Sequence, residues 1–154
     1  MVDDLLEVAR TLINHNAGNK PKQAFLRRGV STAYYALHHA MGKATADALV
    51  GTVKSKRPNR AWAQMYRGLD HGLGRQACEA IRKYHFPKSI NDCADAYVEL
   101  QQARHQADYD PLHSLTRAEA VAILRKAEDA IRLLRSARPV DRAAFGVHLL
   151  IKKR

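Results

Sequence analysis

Apolar residues recur along this chain at intervals of three and four, the period of an α-helix, and seldom alternate as a half-buried strand requires. From residue 3 to about residue 16, Leu5, Leu6, Val8, Ala9, Leu12 and Ile13 keep that period. Asp3 and Asp4 open the segment, where a helix dipole favours negative charge. Residues 16–21 end this helix, with Gly18 as the expected C-terminal cap and Pro21 near the first turn of the next. A long helix is predicted from about residue 22 to residue 49, with Leu26, Val30, Ala33, Tyr34, Leu37, Met41 and Ala44 as its apolar stripe. Arg28, Ser31, Tyr35 and His39 follow at steps of three, four and four, which aligns them along an adjoining face.

Residues 50–59 form a basic, turn-rich loop containing Lys54, Lys56 and Arg57. It serves either as a solvated connector or as a contact for phosphate. A third helical segment spans about residues 60–84 on Trp62, Tyr66, Leu69, Leu73, Ala77 and Ile81, and its glycines predict a split near residues 70–74. Trp62 and Tyr66 are expected in the core, and His71 and His113 receive no role. After a break at residues 85–88, Ser89 is a candidate N-cap for a fourth helix that carries Ile90, Cys93, Ala94, Tyr97 and Leu100 inward and runs into Arg104. Pro111 stops it.

Thr116 and Glu119 have the spacing of a capping box, opening a helix with Val121, Leu124, Ile131 and Leu134 inward that ends near Ala137. A last helix restarts at Pro139 and is apolar almost all round, so it must pack on the bundle or across a dimer interface. The tail Lys152-Lys153-Arg154 is basic and expected to be loose. The pattern therefore predicts an all-α, antiparallel helical bundle of five to six helices in a single domain over residues 1–154.

Composition supports that class, because alanine and leucine dominate the apolar set. Charge adds something the pattern does not: Lys and Arg outnumber Asp and Glu by 26 to 15, a formal net charge of +11. Such a surplus promotes association with polyanions, RNA or DNA above all. Two cysteines within predicted helices, an acidic N-terminus and no long apolar run point to a soluble cytoplasmic protein with no membrane partner. No zinc-binding helix, phosphate-binding glycine loop or nucleophile elbow occurs, so neither a metal nor a cofactor is expected.

The densest chemistry lies in Arg104-His105-Gln106-Ala107-Asp108-Tyr109-Asp110-Pro111, which sets an arginine, a histidine, two carboxylates and a tyrosine at a helix end. Arg104 and Asp108, one turn apart, form either a structural ion pair or a site where Arg104 grips phosphate while Tyr109 donates a hydrogen bond.

Two segments together resemble the HEPN superfamily, small helical bundles found in bacterial defence and toxin–antitoxin systems. Residues 28–39 are similar to its Arg-x-x-Ser-x-x-Tyr-Tyr-Ala-x-x-His helix, and residues 104–109 to the Arg-x-x-Ala-Asp-Tyr form of its arginine motif, the likeness covering about residues 20–135. It implies a homodimer with facing arginine motifs, possession of RNA as partner or substrate, and in active members a metal-independent endoribonuclease in which arginine stabilises phosphate charge and a histidine moves a proton. Counting from Arg104, the motif's histidine positions hold Tyr109, Asp110 and Pro111 instead. By resemblance the catalytic candidates are Arg104, His105, Asp108, Tyr109 and His39, and the phosphate-binding candidates Arg28, Ser31, Tyr35, Lys54, Lys56 and Arg57. The alternative is a non-catalytic module that binds RNA, a nucleotide, or a nucleotidyltransferase-like antitoxin.

Overall fold

The computed structural model describes residues 1–151; the basic tail at 152–154 lies outside the described residues. The fold is an all-α bundle. Its elements in order are α1 (Val2–Ile13), α2 (Gln23–Val50), α3 (Asn59–Arg67), α4 (His71–Glu79), a 3₁₀ turn (Ile81–Tyr84), α5 (Lys88–Tyr109), α6 (Arg117–Ser136) and α7 (Pro139–Leu150). The described residues thus form seven α-helices rather than five or six. The difference comes from the third predicted segment, which is cut into three. Helix α3 stops at Gly68, and the Asp70 carboxylate accepts from the backbone N–H groups of Gly72 and Leu73 at 2.9 Å each, starting α4 afresh. His85, at φ 54°, then ends the 3₁₀ turn.

Two other expectations need correction. Asn14, not Gly18, is the C-cap of α1, and the left-handed residue of the following turn is Asn16 at φ 52°. Asparagine tolerates that region because its short polar side chain bonds locally. Helix α5 begins at Lys88, one residue before the expected cap Ser89, and Pro87 O accepts from the backbone N–H groups of Ile90 and Asn91 at 3.0 Å each. The capping box forms as its spacing requires: Glu119 N donates to Thr116 Oγ1 at 3.2 Å, and Thr116 N returns a bond to the Glu119 carboxylate at 2.7 Å. The Thr116 N–H, and the Thr116 hydroxyl at 2.8 Å, both donate to the exposed Glu119 carboxylate and hold it below the usual carboxylate range.

The chain divides into two compact units. The first comprises Met1–His38 and Ala96–Ala130. Its core takes Leu6, Ala9 and Ile13 from α1, Leu26, Val30, Tyr34 and Leu37 from α2, Tyr97 and Leu100 from α5, and Leu124 and Ala127 from α6. The spacings are those of helix faces, so each helix buries one stripe. The loop between α5 and α6 is pinned by α2: Gln23 donates to Leu115 O at 2.8 Å and accepts from Leu115 N at 2.9 Å.

The second unit comprises His39–Asp95 and the residues from Ile131 onward. Met41, Leu69, Ile81, Ile90, Ile131, Leu134, Phe145 and Leu149 make its core. Cys78 and Cys93 are buried there as free thiols. Burial raises both, and Cys93 is pushed up to about 12. In α7 the buried residues are Phe145, Gly146, His148 and Leu149, while Val140 and Val147 stay exposed. His148 is fixed from the side, with Nε2 2.7 Å from Ala77 O.

Gly42 marks a close approach between α2 and α3, since a Cβ there would stand 2.9 Å from the Tyr66 carbonyl oxygen. Replacing a helical glycine by alanine ordinarily gains up to about 1 kcal/mol of helix propensity. Overpacking against a backbone atom costs about 1–3 kcal/mol, so the clash wins. Gly42→Ala is therefore expected to lower the melting temperature, whereas Gly18→Ala, with nothing within 4 Å of its added methyl, leaves it level or higher. Thermal melts of both variants check this, and an unchanged Gly42→Ala midpoint contradicts it.

Candidate functional site

The two motif-bearing segments meet inside the first unit. Arg104, on the last turns of α5, points its guanidinium into a ring of aromatic and polar groups from α2 and α5. Its Nη2 donates to the Tyr35 hydroxyl at 3.0 Å, and its Nε stands 2.9 Å from Asp108 Oδ2. The latter contact pairs charges without the alignment of a hydrogen bond. The guanidinium carbon lies 5.4, 5.5 and 5.9 Å from the ring centres of Tyr109, Tyr35 and Tyr34, within the range of cation–π attraction. Nη1 has no hydrogen-bond partner among the described residues.

Ser31 lies behind this arginine. It is buried, and its Oγ donates to Asp108 Oδ2 at 3.2 Å. The carboxylate of Asp108 therefore takes a hydroxyl from α2 and a cation from its own helix. The Arg104 and Asp108 side chains keep 18% and 19% of their surface, although Asp108 as a whole residue is exposed at the helix end. Burial pulls the Arg104 pKa down, but Tyr35, Asp108 and Tyr109 together outweigh it and raise it. The guanidinium stays charged. His105 and Tyr109 are exposed, their ring centres 5.0 Å apart. Arg28 is exposed on α2 one turn before Ser31.

Beneath the arginine, Tyr34 Oη lies 3.1 Å from Tyr97 Oη, which is 3.0 Å from His38 Nδ1. Burial raises the Tyr34 pKa, against the lowering pull of Tyr97 and Arg104, so the ring under Arg104 stays a neutral phenol at neutral pH. Tyr97 and His38 had no part in the sequence reading of the site. A signal existed for Tyr97, because a tyrosine on an inward stripe needs a partner for its hydroxyl. Arg27 was missed too, and no sequence signal marks it. Its Nη1 donates to Ala107 O at 3.2 Å and Asp110 O at 2.8 Å, and its Nη2 donates to His113 O. It thereby caps the helix end that carries Arg104, Asp108 and Tyr109. His113 contributes that carbonyl to the cap.

The remaining candidates belong to the second unit. His39 Nδ1 lies 2.7 Å from Tyr66 Oη, and the two rings stack at 5.7 Å. Burial, then His71, lowers the His39 pKa. Trp62 stacks on Tyr66 at 5.2 Å, and the Arg57 guanidinium covers Trp62 at 4.1 Å. Trp62 and Tyr66 are half-buried rather than core residues. Arg57 also donates to the carbonyls of Gly51 and Thr52 and to Asp47. Its charge is met by Asp47 of α2 and by the loop carbonyls. Lys54 and Lys56 are exposed.

Among the described residues no group of three or more His, Cys, Asp or Glu could hold a metal ion, and no helix is long and apolar enough to cross a membrane. Grooves of about 460 and 490 Å³ flank α7 in the second unit, both touching His148. Comparison with protein-family models, curated proteins and solved structures found no match.

The lowered His39 pKa gives a pH dependence with a definite sign. Protonation favours the unfolded chain, where the imidazole returns to its ordinary value of 6.5. The contribution is complete above that value and is lost as pH falls through the folded-state pKa. An NMR titration of His39 is expected to show a midpoint below 6.5, and His39→Gln to lose less stability than wild type between pH 7.5 and 5.5. A midpoint at or above 6.5 contradicts the assignment.

Proposed function

We propose that this chain is a HEPN-like protein whose Arg104 site grips a phosphodiester of RNA. The observation that carries the reading is the guanidinium itself. It is held by Tyr35 and Asp108, lies near three tyrosine rings and keeps Nη1 open. A guanidinium ordered in this way presents donors in a fixed plane, the geometry that phosphate oxygens accept best. Tyr109, exposed at the end of the same helix, adds a hydroxyl donor and a ring face. Ser31 and Arg27 are positioning residues: the first orients Asp108, the second fixes the end of α5. The surplus of eleven positive charges supports attraction of the polyanion. In this reading the chain works as a homodimer in a toxin–antitoxin or phage-defence setting, beside a nucleotidyltransferase-like antitoxin.

A second reading, metal-independent cleavage of the bound RNA, is favoured by one contact. His105 lies against Tyr109, whose ring also faces Arg104. An imidazole and an arginine beside one phosphodiester are the groups needed to move the 2′-hydroxyl proton and to stabilise phosphate charge.

Arg104→Ala is expected to weaken single-stranded RNA binding about 10- to 100-fold, corresponding to a charged hydrogen bond of roughly 1.5–3 kcal/mol. Arg104→Lys should restore little, because a point charge does not replace the planar fork. Fluorescence anisotropy measures both, with thermal melts to show that the variants fold. Incubation with total RNA in chelator separates the readings. New RNA ends made by wild type and absent with Arg104→Ala indicate cleavage at this site, whereas equal cleavage by both defeats the Arg104 assignment.

A further inference from the structure

A second cationic surface occupies the residues that follow α2. Between Asp47 and Asp70 the chain carries Lys54, Lys56, Arg57, Arg60 and Arg67 and no acidic residue. Four of these differ from Arg57 and from several basic residues of the neighbouring elements. Lys43, Arg57, Arg75, Arg82 and Lys88 each pair with a carboxylate. Lys54, Lys56, Arg60 and Arg67 are exposed and have no ion pair among the described residues. The flanking acids are engaged elsewhere: Asp47 receives Lys43, Arg57 and Trp62, and Asp70 caps α4.

Helix α3 has no buried residue. Trp62 and Tyr66 lean inward, half-buried in the column that runs from Arg57 to His39. Arg60, Gln64 and Arg67 are all exposed at steps of four and three, so they form one outward line about 10 Å long. Lys54 and Lys56 sit on a turn closed by Val53 O, which accepts from the N–H groups of Lys56 at 2.9 Å and Arg57 at 3.1 Å. Asn59 bonds to Lys54 O at 3.1 Å, and Arg57 ties the same turn to Gly51 and Thr52. The backbone carrying the charges is thus ordered before any partner arrives, which lowers the entropic cost of binding.

We infer that α3 and the turn before it form a docking surface for the phosphate backbone of a single RNA strand. Lys54, Lys56, Arg60 and Arg67 contact phosphates, Gln64 hydrogen-bonds between them, and Arg57 is the brace beneath. A membrane surface fits less well. Large exposed apolar residues here are limited to Leu49, Val53 and Met65, and α3 turns its aromatic residues inward, leaving no apolar face to insert. An acidic protein would lack a central aromatic or aliphatic pocket to anchor it. The inference rests on the reading of the chain as an RNA-binding protein, but not on Arg104.

The test measures anisotropy of a labelled single-stranded RNA across 50–200 mM salt. It compares wild type, Arg104→Ala, the combined variant K54S/K56S/R60S/R67S and the charge-keeping variant R60K/R67K. Single-strand contacts contribute about 0.7 each to the salt slope. The combined variant is therefore expected to lose about 2 to 3 from that slope and at least tenfold in affinity, while R60K/R67K keeps the wild-type slope. Circular dichroism and thermal melts verify the fold of each. An unchanged slope in the combined variant, with Arg104→Ala weakened, overturns the α3 surface and leaves the Arg104 reading standing. The reverse pattern overturns the Arg104 reading alone. Absence of RNA binding in wild type overturns both readings, and tighter retention of wild type on anionic vesicles or on polyglutamate than on RNA overturns the α3 surface alone.

Discussion

The carbonyl groups at the C-terminal end of a helix must find donors, and the end of α5 finds them in a side chain of α2. Arg27 spans from Ala107 to Asp110 and His113, tying down the turn on which Asp108 and Tyr109 stand. Without such a clamp the last turn of a helix frays, and its polar side chains lose their positions. Gln23 makes a two-way bond to Leu115 one turn earlier on α2. The first unit thus uses the beginning of α2 as a template for the end of α5 and the loop beyond it. Ser31 and Tyr35 then continue the same helix into contact with Asp108 and Arg104. Successive turns of one helix fix a helix end, a carboxylate and a guanidinium in that order.

Much of this was legible in the sequence where the physics is local. The helix stripes, the Thr116–Glu119 capping box and the alignment of Ser31 with Tyr35 follow from period and spacing alone. The pairing of Arg104 with Asp108 follows too, because residues four apart share a helix face. Long-range partners were legible only where a second motif named them, as with Tyr35 and Arg104. Arg27 gave no sign, since any arginine on a half-buried face can equally well reach water. The line Arg28, Ser31, Tyr35 and His39 shows the limit of a spacing argument. Ser31 and Tyr35 reach the Arg104 cluster, Arg28 is exposed, and His39 joins Tyr66 in the second unit. Eleven residues return His39 to within about 20° of Arg28 but carry it about 16 Å along the axis, so it shares the face and not the neighbours.

The break between α3 and α4 falls where the glycines of the third segment predict a split, and Asp70 fixes it there, because its carboxylate offers two N–H groups a better partner than a continued helix does. Asp47 shows how much one acid can organise in a basic chain. It gathers Lys43, Arg57 and the Trp62 indole, and so holds the loop that a run of cations would otherwise push open. Charge of one sign at a surface is tolerable where the few opposite charges are placed under it.

The two buried thiols carry a consequence of another kind. Cys78 and Cys93 both lie in the core of the second unit, and burial holds both in the unreactive protonated form. A reagent that attacks thiolates can reach them only when that unit opens. Their rate of modification under native conditions is then a clock for local opening of the second unit, set by its own stability.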